Sequence, residues 1–362
     1  MALSKIQGIG GQVTSNLGRR NLIINGAMEV WQRGTTSSAL GHSSGQYHTA
    51  DRWGALTDQD EGSGTLTTTF SQSTDVPSTE TFPYSLKAVV ASSSRTPSGT
   101  DCTALFYQHI ETYNANPLGW GTAAAKQATL TYWIKSSVAG TGTLQLRLND
   151  SNQVNSVADG QFYTKFTINQ ANTWEKKTHL IPANATDGWR RNVSESAIQM
   201  YWFFGSNQAA APTQDAWFRQ NNYGQKHSDA TLNFQVTGGT AYLTGVQFEV
   251  GDTATDFEHR LYSEELRNCQ RYYVGAFDTA SSVSGTKYIF GQNFGANSSH
   301  VMYQVEWPVQ MRDAPQIGIG STGVGAGTAA SSYQGPDGMS LYYTSAGSSN
   351  VWLANVTADA EL

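Results

Sequence analysis

Alternation at period two runs through the chain between residues 65 and 248. Thr65–Phe70 and Tyr84–Val90 follow it, as do Ala128–Ile134, Thr143–Leu148, Phe162–Ile168, Ala197–Phe204, Leu232–Val236 and Ala241–Phe248. Successive side chains on a strand point to opposite faces, so such segments read as strands with one face buried. Clusters of Gly, Ser, Asn and Asp separate them, and these residues supply turn chemistry. The pattern predicts an all-β fold, two antiparallel sheets packed as a β-sandwich or jelly roll. Strand–helix alternation is missing, which argues against a parallel α/β sheet.

The clearest helical stretch is Ser263–Tyr273. It opens on a Ser cap, carries Glu264 and Glu265 in its first turn and ends near Arg271, an order that suits the helix macrodipole. Leu266, Cys269 and Tyr273 share one face. Beyond it Lys287–Phe290, Val301–Trp307, Ser340–Tyr343 and Val351–Leu353 return to strand patterning. The chain therefore divides into a leader at 1–20, a jelly-roll sandwich at 21–262, a helical connector at 263–274 and a smaller C-terminal β knob at 275–362. The leader has Gly8, Gly10, Gly11 and Gly18 and few larger apolar side chains, Leu3, Ile6, Ile9 and Val13 among them. Such a segment has no core of its own and is either a disordered leader or an anchor that orders against a partner.

Composition removes several function classes. Charged residues make up 14% of the chain and the net charge is −6, without the basic excess that phosphate neutralisation needs, so no nucleic-acid partner is expected. No apolar run approaches the ~18 residues of a membrane span, and the first residues lack a signal-peptide core. With 10 Trp, 17 Tyr and 14 Phe the chain has ample surface to bury, which excludes disorder. Cys102 and Cys269 sit in no metal or redox spacing and read as small hydrophobes.

Motifs with a chemical look lack their context. Gly41-His42-Ser43-Ser44-Gly45 matches a nucleophile elbow with no helix after it. Gly318–Gly323 matches a dinucleotide fingerprint but runs into more glycine, and reads as a loop. The seven histidines form no metal-helix spacing, and Asp58-Gln59-Asp60-Glu61-Gly62 lacks the closing bidentate Glu of a calcium loop. No catalytic residue, metal ligand or cofactor is assigned, and the chain reads as a non-enzyme. The aromatics are more informative. Trp120, Trp189 beside Arg190, Trp217 and Tyr223 fall among turn residues, and the stretch from Gly205 to Asp229 exceeds the ~12–15 residues usual for a loop. Rings beside amides and acids are the materials of saccharide recognition, so these five residues are the candidate carbohydrate-binding set. The same rings would equally pin loops onto the sandwich or fill a subunit interface.

Arg20-Asn21-Leu22-Ile23-Ile24-Asn25-Gly26-Ala27-Met28-Glu29-Val30-Trp31-Gln32-Arg33-Gly34, followed by Asp51-Arg52-Trp53, resembles the opening of a domain common in bacteriophage tail-fibre and appendage proteins, notably of marine and cyanobacterial phages. A second signature is Leu243-Thr244-Gly245-Val246-Gln247-Phe248-Glu249-Val250-Gly251, then Thr255-Asp256-Phe257-Glu258-His259-Arg260, which runs into Glu264–Tyr273. Trp307–Pro315 is similar to the C-terminal knob of such fibres. The resemblance implies a carbohydrate-binding-module-like jelly roll, a homotrimer, a place on the virion and attachment to other virion proteins through residues 1–20. It implies no catalysis; the partner would be host surface polysaccharide, held by many weak contacts. In related sugar-binding modules an acid after the Asn-Gly opening and a late acid hold a calcium ion. Glu29 matches the first, and Gly245 and its neighbours lack the second. A purely architectural adaptor or capsid decoration is the alternative. A polysaccharide depolymerase would call for a long β-helix repeat, which the sequence lacks.

Overall fold

The computed structural model describes residues 19–41, 46–57, 66–94, 102–149, 159–189, 193–206, 209–220, 225–234, 236–275, 288–290, 292–293, 300–323, 329–344 and 352–362. Residues 1–18 of the expected leader, the acidic run at 58–62 and the central residues of the Gly41–Gly45 motif lie outside these.

The chain first lays down β1 (Gln46–Tyr47), β2 (Gly54–Thr57), β3 (Leu66–Ser73), β4 (Ser85–Ser93) and β5 (Cys102–Glu111), then the single turn α1 (Thr112–Ala115). Next come β6 (Ala128–Ser136), β7 (Gly140–Leu148), β8 (Asp159–Ile168), β9 (Glu175–Ile181), β10 (Ser196–Ser206), β11 (Trp217–Gln220) and β12 (Thr240–Val250). They form a seven-stranded sheet in the order β1-β2-β5-β10-β7-β8-β11 and a five-stranded sheet in the order β3-β4-β12-β6-β9. The pairings are antiparallel. Leu144, Leu146 and Leu148 of β7 and Ile198, Met200, Trp202 and Phe204 of β10 share one buried cluster with Leu130, Tyr132 and Ile134 of β6. Burying each such side chain is worth about 1.5–3 kcal/mol. The expected all-β sandwich is the observed one.

Several local readings need correction. Trp133, whose place in the strand run Ala128–Ile134 suggests a core position, is half-buried on the outer face, and its neighbour Tyr132 is wholly buried instead, with its ring 5.5 Å from Trp202. Residues 232–234 form no strand, although Leu232 and Phe234 are buried. The long stretch after Gly205 is not loop throughout, because β11 inside it pairs with β8. Gly318–Gly323 is not a loop either; it lies in a strand, described next.

The helix α2 (Tyr262–Gln270) leads to β13 (Tyr273–Val274), β14 (Tyr288–Phe290), β15 (Gln292–Asn293), β16 (His300–Glu306), β17 (Gln316–Gly323), β18 (Ala329–Gly335), β19 (Gly338–Thr344) and β20 (Trp352–Asp359). These make two four-stranded sheets: β13, β14 and β17 all pair with β20, and β15-β16-β19-β18 form the other. Ser263 is not the cap of α2, which begins one residue earlier after Leu261 and has no side-chain cap bond. Leu266, Cys269 and Tyr272 pack against Ile24, Val30 and Leu362. The helix thus rests on the first segment of the sandwich and on the last residue of the chain. Among the described residues no helix is long and apolar enough to cross a membrane.

The two signature segments lock together. Asn21 Nδ2 donates to Val246 O at 2.9 Å, and Asn21 Oδ1 accepts from Phe248 N at 3.0 Å. The backbone N–H groups of Arg20 and Asn21 donate to the Glu258 carboxylate, at 3.0 and 2.9 Å. Arg260 donates to the carbonyls of Asn21 and Ile23 and pairs with Glu258 and Glu265. Gly26 is required here: a Cβ on it would lie 2.2 Å from Val246 O, closer than any side chain tolerates. Glu265 of the same cluster also accepts from Asn25 N, which ties the clasp to the turn before residues 29–33.

Candidate functional site

Three of the five aromatic and basic candidates do come together, but inside the protein. Trp120 is wholly buried, with ring centroids 5.1 Å from Trp217, 6.2 Å from Trp189 and 6.2 Å from Phe248. Its Nε1 donates to Lys126 O at 2.7 Å. Trp189 is buried too. Trp217 is half-buried on β11, with its Nε1 donating to Pro182 O at 2.8 Å. A ring enclosed on both faces offers none to a sugar, so Trp120 and Trp189 are corrected to core residues. Trp217 belongs to the same aromatic plug. Arg190 and Tyr223 lie outside the described residues. Asn184, in a glycosylation-like triplet, is also buried; its Oδ1 accepts from the N–H groups of Thr186 and Asp187.

A different set of rings faces solvent. Glu29, Trp31, Gln32, Gln72, Pro83, Tyr84 and Tyr262 line an open groove of about 560 Å³. Its floor is set by the turn after Asn25. Asn25 and Met28 have φ of 58° and 56°, and Asn25 Oδ1 accepts from the N–H groups of Glu29 and Val30 at 2.7 and 3.0 Å. Asn accepts this left-handed backbone because its side chain bonds locally. The extended chain that follows buries Val30 and leaves Glu29 and Trp31 half-exposed on either side of it. Trp31 Nε1 donates to Met28 O at 2.6 Å, which holds the ring. Gln32 is pinned through its backbone N–H to Asp51 Oδ1 at 3.0 Å and through Nε2 to Tyr273 O at 2.9 Å.

The opposite wall comes from the five-stranded sheet and the helix. Tyr84 precedes β4, its carbonyl accepting from Thr244 Oγ1 at 2.7 Å. Gln72 lies on β3, and Tyr262 at the start of α2 is 56% exposed. Burial, then the Glu265 carboxylate, push Glu29 above the ordinary range, while His259 opposes them. Glu265 is not a second working acid: it accepts from Asn25 N and pairs with Arg260 within the clasp. While the Gln32 amide is bonded to Asp51, Tyr273 and Gly275, one carboxylate, the Gln72 amide and three rings can bind hydroxylated ligands. They do not make the two-carboxylate machinery that glycoside hydrolysis uses. Among the described residues no group of three or more His, Cys, Asp or Glu could hold a metal.

The groove was not read from the sequence. Glu29 stood out only as a match to a calcium-holding acid and Trp31 only as part of the Arg20–Gly34 run, and nothing in a linear pattern joins them to Tyr84 and Tyr262. The Asn25-Gly26 pair, which announces a turn, was the available signal.

No protein-family model matches the sequence, and no curated protein is similar to it. Among solved structures, the chain is similar to a putative sugar binding protein from Bacteroides thetaiotaomicron, at 12% identity and a TM-score of 0.34, with 64% of this chain and 100% of that one covered. The family 11 carbohydrate-binding module of Clostridium thermocellum gives 9% identity and 0.29, over 62% and 99% of the two chains. The enzymatically active domain of tailspike protein 4 from bacteriophage CBA120 gives 14% and 0.29, over 55% of this chain. This chain spans only 19% of that tailspike domain's length. Alignments this loose establish no residue correspondence.

Proposed function

We propose that the chain is a non-catalytic, glycan-binding component of a virion appendage, a short tail fibre or surface decoration. It engages host polysaccharide through the groove of Trp31, Tyr84 and Tyr262. The observation that carries this reading is the solvent-facing grouping of three rings with Glu29, Gln32 and Gln72 in one groove. Aromatic faces cover the apolar C–H surface of a sugar, and an amide and a carboxylate take its hydroxyls. The virion setting, the homotrimer and attachment through residues 1–20 come from the sequence resemblance. In a trimer three weak grooves act together, so a modest single-site affinity suffices for adsorption.

The test is a glycan array and whole-cell binding with the purified protein, its mass measured in the same samples. The expected result is a trimer that binds host envelope polysaccharide. Trp31→Ala or Tyr84→Ala should weaken that binding about tenfold or more, the loss of roughly 1.5 kcal/mol of ring burial. Binding that survives both substitutions would remove the groove from the function. A protein that binds no envelope at all would be an architectural part.

A further inference from the structure

A second cavity, of about 430 Å³, lies where the segment before the clasp, the end of β5, helix α2 and residues 309–310 meet. Four of the chain's 22 Lys and Arg residues line it: Arg19, Arg260, Arg267 and Arg271. Two of them are neutralised. Arg260 pairs with Glu258 and Glu265, and Arg271 holds Glu111 through Nε at 2.9 Å and a terminal nitrogen at 2.6 Å. The other two are not. Arg267 is exposed in the last turn of α2 and has no carboxylate partner among the described residues. Arg19 is exposed and reaches only Asn268 Oδ1, at 3.4 Å. A cation at a helix C-terminus offsets the macrodipole, which accounts for Arg267 alone. It does not account for Arg19, which enters the same cavity from a separate segment.

The neutral lining is equally specific. Tyr113 is 49% exposed, and Pro117 lies beside it in the lining. Asn114 donates through Nδ2 to the Tyr272 hydroxyl at 3.3 Å, and its half-buried side chain lines the cleft. A ring, two unneutralised guanidiniums and side-chain amides form a complementary set for one ligand class. We propose that this cleft is a second saccharide subsite, selective for a sugar that carries a carboxylate, a uronic acid unit. The proposal rests on the reading of the chain as a glycan binder. The carboxylate lies between Arg19 and Arg267, where planar guanidinium forks match its geometry. Tyr113 covers the sugar's apolar face, and Asn114 and Asn268 meet its hydroxyls.

The experiment is calorimetric titration of the full-length protein with galacturonate, glucuronate and mannuronate oligosaccharides and with their carboxyl-reduced, neutral counterparts. The probes are repeated on Arg19→Gln/Arg267→Gln and on Trp31→Ala, with thermal melts to confirm folding; both arginines are exposed, so the double variant is expected to fold. At least one uronate oligomer should bind more tightly than its neutral counterpart and weaken as salt rises. The double variant should lose about tenfold or more, and Trp31→Ala should not. Uronate binding that is absent, or indifferent to the double variant, overturns the proposal. So does tetraglutamate or inorganic phosphate binding there as tightly, which would make the cleft a general anion site. The two readings fail separately. If glycans bind and depend only on Trp31, the cleft falls and the groove stands; arginine-dependent uronate binding with no Trp31-dependent glycan gives the reverse.

Discussion

His109 lies on the outer face of the seven-stranded sheet, its ring centroid 5.1 Å from Tyr107 and 6.0 Å from Tyr201. Its Nδ1 is 3.1 Å from Leu362 O. Burial, then the Arg52 guanidinium, push the imidazole down to about 4. The unfolded chain takes up this proton near pH 6.5, so between there and about 4 the unfolded state binds more protons and stability falls with pH. Asp51 acts in the opposite sense. Burial raises its carboxyl to about 6, so the folded state takes its proton first, and the cost of burying the charge is relieved as pH falls below 6. His109→Gln should therefore remove part of the acid sensitivity. Urea unfolding at pH 7 and at pH 4.5 should show the variant losing less than the parent, by up to about 3 kcal/mol. An equal loss in both would show that His109 is protonated in the fold. The tryptophans teach a related lesson about legibility. Trp120 and Trp189 sit among turn residues, and composition there does not say whether a ring faces water or the core. That depends on what packs over them, here Trp217 and Phe248, which arrive from distant strands.

At the scale of elements, β12 shows how a strand can change faces without ending. Leu243, Val246 and Phe248 are all wholly buried in the core cluster. An uninterrupted strand that buried Leu243 would place Gln247 inward instead. The register against β6 shifts between Thr244 and Gln247, and Gly245 supplies the bulge at φ +60°. A bulge adds one residue and so restores the apolar face. A Cβ at Gly245 would also lie 2.4 Å from the Phe82 ring. Gly245→Ala should cost about 2 kcal/mol or more by chemical denaturation, while Gly238→Ala, where a Cβ meets nothing within 4 Å at φ +81°, carries the backbone strain alone. Equal effects would mean that the Phe82 contact is easily relieved. β3 and β4 were legible because one face of each is partly exposed, and β6 and β12 because polar residues alternate with apolar ones, although Thr129, Thr131 and Gln247 are buried as well. β5 was not. Its Gln108 shares the inward face with Phe106 and Ile110 and is buried, exchanging hydrogen bonds with Ile24 N and Ile24 O at 3.0 and 2.9 Å, and its Glu111 is covered by Arg271 and Tyr272. With Phe106 and Tyr107 side by side and a polar Gln108 turned inward, β5 lacks the alternation by which strands are read.

For the whole molecule, the decisive contacts are those that strap residues 359–362 to the sandwich. Arg33 pairs with Asp359 at 2.8 Å and with Glu361 at 3.2 Å. Arg52, 1% exposed, pairs with Glu361. Arg312 donates to Ala360 O at 2.8 Å, Glu361 O at 3.1 Å and Ser194 O at 2.6 Å. Removing one partner of a buried pair leaves the other charge uncompensated, which costs about 3–5 kcal/mol. Glu361→Ala should lower stability by that order and quicken proteolysis of the strands after residue 275, read by melting and by a digestion time course. Unchanged digestion would show that the strap is redundant. The clasp between the two signature segments has a further consequence, for how the protein is made. Its bonds join residues 225 to 240 positions apart. During synthesis the segment around Asn21 leaves the ribosome long before Val246, Arg260 and Glu265 exist to receive it. Until they do, the Asn21 amide stays bonded to water, and the sandwich stays open along that side. Contacts this distant form late and slowly, so the groove beside Trp31 is assembled only after translation has passed helix α2. Nascent chains stalled before that point should have strands but no site.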